Sequence, residues 1–171
     1  VRAVNTEALQ LLLEVPDGAA RPVWSPDGRE IAFLRGPAST QPGVFIVSRV
    51  GGPERKVSNT GAVAAWTPDG KSLLISDRVG NEPSRIFQID LETRERRALT
   101  QPPEGDGDVL FDVSPDGSNV AVVRFARTGM GDVYIVPVRG GEPRRVTAVS
   151  RNIFGGGYLL DSGSPYSLWF G

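Results

Sequence analysis

Cysteine and histidine are both absent from the 171 residues. Their absence removes disulfides, zinc sites of the Cys/His kind, thiolate nucleophiles and every catalytic triad that uses an imidazole base. A dominant charge is missing too, since 19 Lys and Arg against 20 Asp and Glu leave a net charge of −1. That balance gives no field to draw in nucleic acid or an anionic membrane surface, so no nucleic-acid partner is expected. Apolar runs are short, that at Leu11-Leu12-Leu13 among them, against the ~20 residues of a membrane-crossing helix. The N-terminus also lacks the basic and then apolar stretch of an export signal. Direct membrane insertion is not expected. The sequence starts at Val1 rather than Met, which is what a processed product or a piece of a longer reading frame would show.

Glycine and proline, by contrast, are plentiful at 21 and 14 residues, which points to many tight turns. Apolar residues make up 39%, enough for a core. At roughly 150 residues per domain the length fits one domain. The turns are organised by a repeat. Ser25-Pro26-Asp27-Gly28, Thr67-Pro68-Asp69-Gly70 and Ser114-Pro115-Asp116-Gly117 recur at spacings of 42 and 47 residues. An apolar residue precedes each copy (Trp24, Trp66, Val113), and an apolar run follows it: Ile31-Ala32-Phe33, Leu73-Leu74-Ile75, Val120-Ala121-Val122. Each copy therefore reads as strand, tight turn, strand. Pro fixes φ, Asp bonds back to the local backbone, and Gly accepts positive φ where the chain reverses.

The register continues along each repeat. Phe45, Phe87 and Tyr134 lie fourteen residues after Ile31, Leu73 and Val120, inside apolar third strands, and Val57, Leu99 and Val146 follow twelve residues later in fourth strands. Turns containing Gly51-Gly52-Pro53, Asp90-Leu91-Glu92-Thr93 and Gly140-Gly141-Glu142-Pro143 join the third strand to the fourth. The longer second spacing comes from an insertion at 101–108, read as a loop between repeats. A four-stranded antiparallel unit of about 40 to 50 residues in tandem is the signature of a β-propeller blade. The expected fold is all-β, with blades at 19–58, 59–100 and 101–147, an outer strand at 1–15 from a preceding or closing blade, and a partial, eroded blade at 148–171. In that last stretch 158–162 and 167–170 read as strands, and Gly155-Gly156-Gly157 stands where the Pro-Asp-Gly turn is lost.

Trp-Ser-Pro-Asp-Gly-Arg-x-Ile-Ala-Phe at 24–33, together with Ser76-Asp77-Arg78-Val79-Gly80-Asn81, resembles the TolB-type, WD-like propeller repeat over nearly the whole chain. The resemblance is specific for fold and says little about activity, because such repeats occur in TolB, in bacterial sensors and beside the catalytic domains of prolyl-oligopeptidase-type enzymes. It implies a non-enzymatic protein- or peptide-binding scaffold, periplasmic or otherwise extracytoplasmic, such as the sensor part of a larger bacterial protein. One alternative is a peptidase propeller without its catalytic domain; another is a decayed gene fragment. About four blades' worth of sequence is compatible with a small closed ring or with a segment of a six- to eight-bladed one. In the segment case, open blade edges would favour a homodimer.

No catalytic residue, cofactor or metal is expected. Asp106-Gly107-Asp108 looks like half a calcium loop but lacks further oxygen ligands at fixed offsets. For partner binding, Arg35, Asp77 and Arg124 stand at matched ends of the second strands, before long loops at 36–43, 78–84 and 125–132 that carry Arg78 and Arg127. Their guanidinium groups suit a carboxylate or an acidic peptide. The competing expectation for these residues is solvated loop charge and structural ion pairs. Pro26, Asp27, Gly28, Pro68, Asp69, Gly70, Pro115, Asp116 and Gly117 are assigned to the turns, and Trp24 and Trp66 to blade packing.

Overall fold

The computed structural model describes residues 11, 13–16, 18–36, 39–61, 64–105, 107–127 and 130–147. The expected partial blade at 148–171 lies outside them, as do Asp106 and most of the expected N-terminal strand. Strands β1 (Ala20–Trp24), β2 (Glu30–Arg35), β3 (Gly43–Ser48) and β4 (Arg55–Ser58) form one antiparallel sheet in chain order. A second sheet holds β5 (Ala64–Trp66), β6 (Ser72–Asp77), β7 (Arg85–Asp90) and β8 (Arg96–Ala98). The third holds β9 (Gly107–Val113), β10 (Asn119–Arg127), β11 (Met130–Pro137) and β12 (Arg144–Arg145). These three blades follow the sequence repeat. Within the expected loop at 125–132, residues 125–127 instead end β10 and 130–132 start β11, and the insertion at 101–108 runs into strand at Gly107. Leu13 and Val15, placed in a strand by the sequence pattern, are not in one, yet they pack on the first blade beside Ile31, Phe33, Phe45 and Val47.

Strand alternation explains how the blades stack. Side chains one residue apart point to opposite faces of a sheet, so the apolar runs after each turn supply two faces at once. Ala32, Val44 and Ile46 of the first blade meet Trp66, Leu73, Ile75, Phe87 and Ile89 of the second. On its other side the second blade presents Leu74 and Ile86 to Val120, Val122 and Val136 of the third. Leu73, Leu74, Ile75 and Ile86 are fully excluded from solvent. Burial of each contributes roughly 1.5–3 kcal/mol. Trp24 and Trp66 occupy the same register position, opposite Ile31 and Leu73. Trp66 is buried and donates its indole N–H to the Val23 carbonyl at 3.2 Å, whereas Trp24, on the face turned away from the second blade, is 47% exposed.

The three turns are built alike. In the first, the Ser25 hydroxyl donates to Asp27 at 2.7 Å, the Arg29 amide donates to the same carboxylate, and the Glu30 amide donates to Ser25 Oγ. Thr67 with Asp69 and Ser114 with Asp116 repeat those bonds. Accepting the hydroxyl bond first and the amide bond second lowers the pKa of Asp27, Asp69 and Asp116, the last to about 2. Each turn also leans on the next. A Cβ on Gly70 would lie 3.9 Å from Pro26, and one on Gly117 only 2.9 Å from Pro68.

Gly28, Gly70 and Gly117 share φ values of +67°, +71° and +70°, so alanine at any of them carries the same backbone penalty of about 1–2 kcal/mol. We expect Gly28→Ala and Gly70→Ala to lose that amount. Gly117→Ala should lose at least ~1 kcal/mol more, because its methyl meets a rigid proline ring. Urea unfolding of the three variants checks the order; three equal losses would contradict Pro-on-Gly stacking.

Candidate functional site

The expected binding residues sit at the matching end of each second strand, and the structure gives them partners. Arg35 is paired with Glu54, with only 12% and 19% of the two side chains exposed, and its guanidinium lies 4.4 Å over the Phe45 ring. Arg124 grips Asp108 through two bonds of 2.7 and 2.9 Å and lies 4.6 Å over Tyr134. Asp108 is completely buried, and its hydrogen bond is the main cause that raises the Arg124 pKa further. In the second blade the order is inverted. Asp77 ends the second strand, and Arg96 from β8 supplies the cation at 2.7 Å while stacking 3.8 Å over Phe87. Every blade thus contains a guanidinium, a third-strand aromatic ring and a carboxylate. Cation and ring attract through the ring quadrupole, and partial burial strengthens both contacts.

Sequence reading missed Glu54 and Arg96 as partners because they stand 19 residues after Arg35 and Asp77 with acid and base exchanged, and it missed the pairing of Asp108 because that residue comes from the first strand of its blade. Asp108 is committed to Arg124, and Asp106, the other carboxylate of the half calcium loop, lies outside the described residues. Among the described residues no cluster of acidic side chains could hold a metal ion. A hollow of about 340 Å3 between the first two turns touches Asp27, Asp69 and Trp66, but both carboxylates already serve their own turns.

Arg78 is exposed, its Nε 3.5 Å from Ser84 Oγ. Its loop is stitched to the third blade: the Asp108 amide donates to the Ser84 carbonyl at 2.7 Å, and a Cβ on Gly107 would come within 2.3 Å of Ser84 backbone. Arg127 ends β10, and its side chain lies outside the described residues. The strand ends of Arg35, Asp77 and Arg124 therefore form a braced rim. Chemically, that rim can hold loops rigidly and present charge. The described residues contain no imidazole or thiolate to abstract a proton.

Another regularity escaped the sequence reading. Ser58, Thr100 and Thr147 each follow the aliphatic residue that closes a repeat. Thr100 Oγ1 accepts the Ile86 amide and Thr147 Oγ1 accepts the Val133 amide, each at 3.0 Å, extending the outer pairing past β8 and β12.

No family profile matches the chain. The uncharacterized peptidase YuxL of Bacillus subtilis is 28% identical over 130 residues, 74% of this chain and 18% of that protein. The Tol-Pal system protein TolB of Alcanivorax borkumensis is 34% identical over 58 residues, 32% of this chain and 13% of that protein. Among solved structures, TolB from Acinetobacter baumannii superposes with a TM-score of 0.69 at 24% identity, covering 86% of this chain and 37% of that one. The chain thus matches under a fifth of either curated relative.

Asp108→Ala should cost about 3–5 kcal/mol, because the Arg124 charge is left partly buried without its carboxylate. Replacing the pair together, with Asp108→Leu and Arg124→Met, should recover most of that loss. Urea titration of the two variants separates the outcomes: a loss below about 1 kcal/mol for Asp108→Ala would contradict a structural pair.

Proposed function

We propose that the chain, a run of β-propeller blades similar in fold to those of TolB, works as a non-enzymatic module that binds a protein or peptide and holds it as a scaffold. The observation that carries this reading is the braced rim, in which three blades each anchor the end of the second strand with an ion pair stacked on an aromatic ring. Loops set on a rigid rim can recognise a partner at low ordering cost. Arg78 and Arg127, on the loop and strand end beside it, are the residues proposed to reach that partner, with Arg35, Asp77 and Arg124 positioning them. An extracytoplasmic place, as the sensor part of a larger bacterial protein, belongs to the same reading and rests on likeness to TolB.

A second reading is favoured by the 130-residue match to YuxL: the chain is the propeller part of a peptidase whose chemistry resides in another domain. The two readings agree that the chain itself does no hydrolysis. Panning the chain against a peptide library, alongside turnover assays with chromogenic prolyl peptides, tests the proposal. Peptides are expected to be captured without turnover, and capture should weaken in Arg78→Ala. Hydrolysis by the purified chain, or capture of no peptide, would overturn it.

A further inference from the structure

The Asp-Gly dipeptide recurs along the chain, and three of its copies are the repeat turns at Asp27-Gly28, Asp69-Gly70 and Asp116-Gly117. Asp-Gly is a step at which a polypeptide readily damages itself, because glycine has no Cβ to hinder ring closure. The glycine nitrogen gives up its proton and attacks the Asp Cγ. A C–N bond forms, the carboxyl C–O bond breaks, and the oxygen leaves as water. Water then reopens the five-membered succinimide at either carbonyl and returns aspartate or isoaspartate, the latter with one extra methylene in the backbone. In a blade that methylene would fall between the first and second strands, where it would put their pairing out of register.

All three Asp residues are exposed, so exclusion of water does not protect them. The turn occupies both reacting groups instead. Each glycine N–H is committed to the carbonyl of the residue that opens the motif, Gly28 to Ser25 at 2.9 Å, and Gly70 to Thr67 and Gly117 to Ser114 at 2.8 Å. Each carboxylate is held from two sides. The opening hydroxyl donates to Oδ1 at 2.7 Å in the first turn and 2.6 Å in the other two. The amide two residues on, from Arg29, Lys71 or Ser118, donates to the same oxygen at 3.0 Å. Asp116 has a further partner in the Ser118 hydroxyl, 2.8 Å from both of its oxygens. Ring closure has to break the glycine bond and turn the carboxylate away from its donors. The same bonds hold the three carboxyls below the usual carboxylate range, with Asp116 at about 2, whereas water leaves most readily from the protonated acid.

From this geometry we infer that the hydroxyl opening each motif guards the Asp-Gly bond after it against succinimide formation. A hydroxyl is what the three repeats share at that position, as Ser25, Thr67 and Ser114. The guard keeps a reactive dipeptide usable as the blade turn. It belongs to the blades themselves and holds whatever the module binds.

Electron-transfer mass spectrometry of the full 171-residue chain, aged in weakly acidic buffer with and without urea, reads isoaspartate at each position. The unfolded chain should convert Asp27, Asp69 and Asp116 at similar rates, and the folded chain should convert each at least about tenfold more slowly, with Asp116 the slowest. In Ser25→Ala, Asp27 alone should accelerate, while Ser25→Thr should stay protected as Asp69 is by Thr67. Ser118→Ala, which removes an exposed hydroxyl, should bring Asp116 up to the rate of Asp27. Equal rates with and without urea would overturn the guard. So would an unchanged Asp27 in Ser25→Ala, or acceleration of all three in a Ser25→Ala chain whose circular dichroism stays native, because protection would then belong to the fold as a whole. Should Ser25→Ala fail to fold, Ser118→Ala decides: an unchanged rate at Asp116 would overturn the role of the hydroxyls.

Discussion

Everything in this fold depends on the need of each β-sheet to bury two apolar faces. A four-stranded antiparallel unit alone would leave one row of Val, Ile, Leu and Phe in water on either side, and a neighbour is the only available cover. The second blade shows the solved case. It has Leu73, Ile75 and Trp66 toward the first blade, and Leu74 and Ile86 toward the third. The turn motif serves the same end, because its proline rests against the glycine of the next repeat. Face packing and turn packing therefore set the spacing between blades together.

Once blades are stacked, their margins become the places where sequence is free to vary. At the ends of the second strands that freedom is spent on bracing: guanidinium, ring and carboxylate recur with the carboxylate drawn from Glu54, Asp77 or Asp108. A scaffold that binds by its margins needs that bracing, since an unbraced rim would lose to loop entropy what contact provides.

Much of the fold was legible in the residues. Strand order, the three turns and the third-strand aromatics follow from a fixed offset between like residues, and offset is a property of sequence. The hydrogen-bond pattern of Asp27, Asp69 and Asp116 was equally readable, because its partners lie within five residues. The ion pairs were not. Arg35 and Glu54, or Asp77 and Arg96, are 19 residues apart, and the pairing interchanges acid and base between blades, so a search for identical residues at identical positions cannot find it. The Arg127 side chain and the stretch at 148–171 lie outside what the structure describes.

The account stands on blade faces that hold one another, and Leu74 is the residue to remove. It is fully buried and packs with Ile86 against Val120, Val122 and Val136 of the next blade. Hydrogen exchange on Leu74→Ala should show a loss of about 2–5 kcal/mol, with protection falling in β6 and β7 and equally in β10 and β11. Loss confined to the second sheet, with β10 and β11 unchanged, would mean that the blades do not depend on each other's faces.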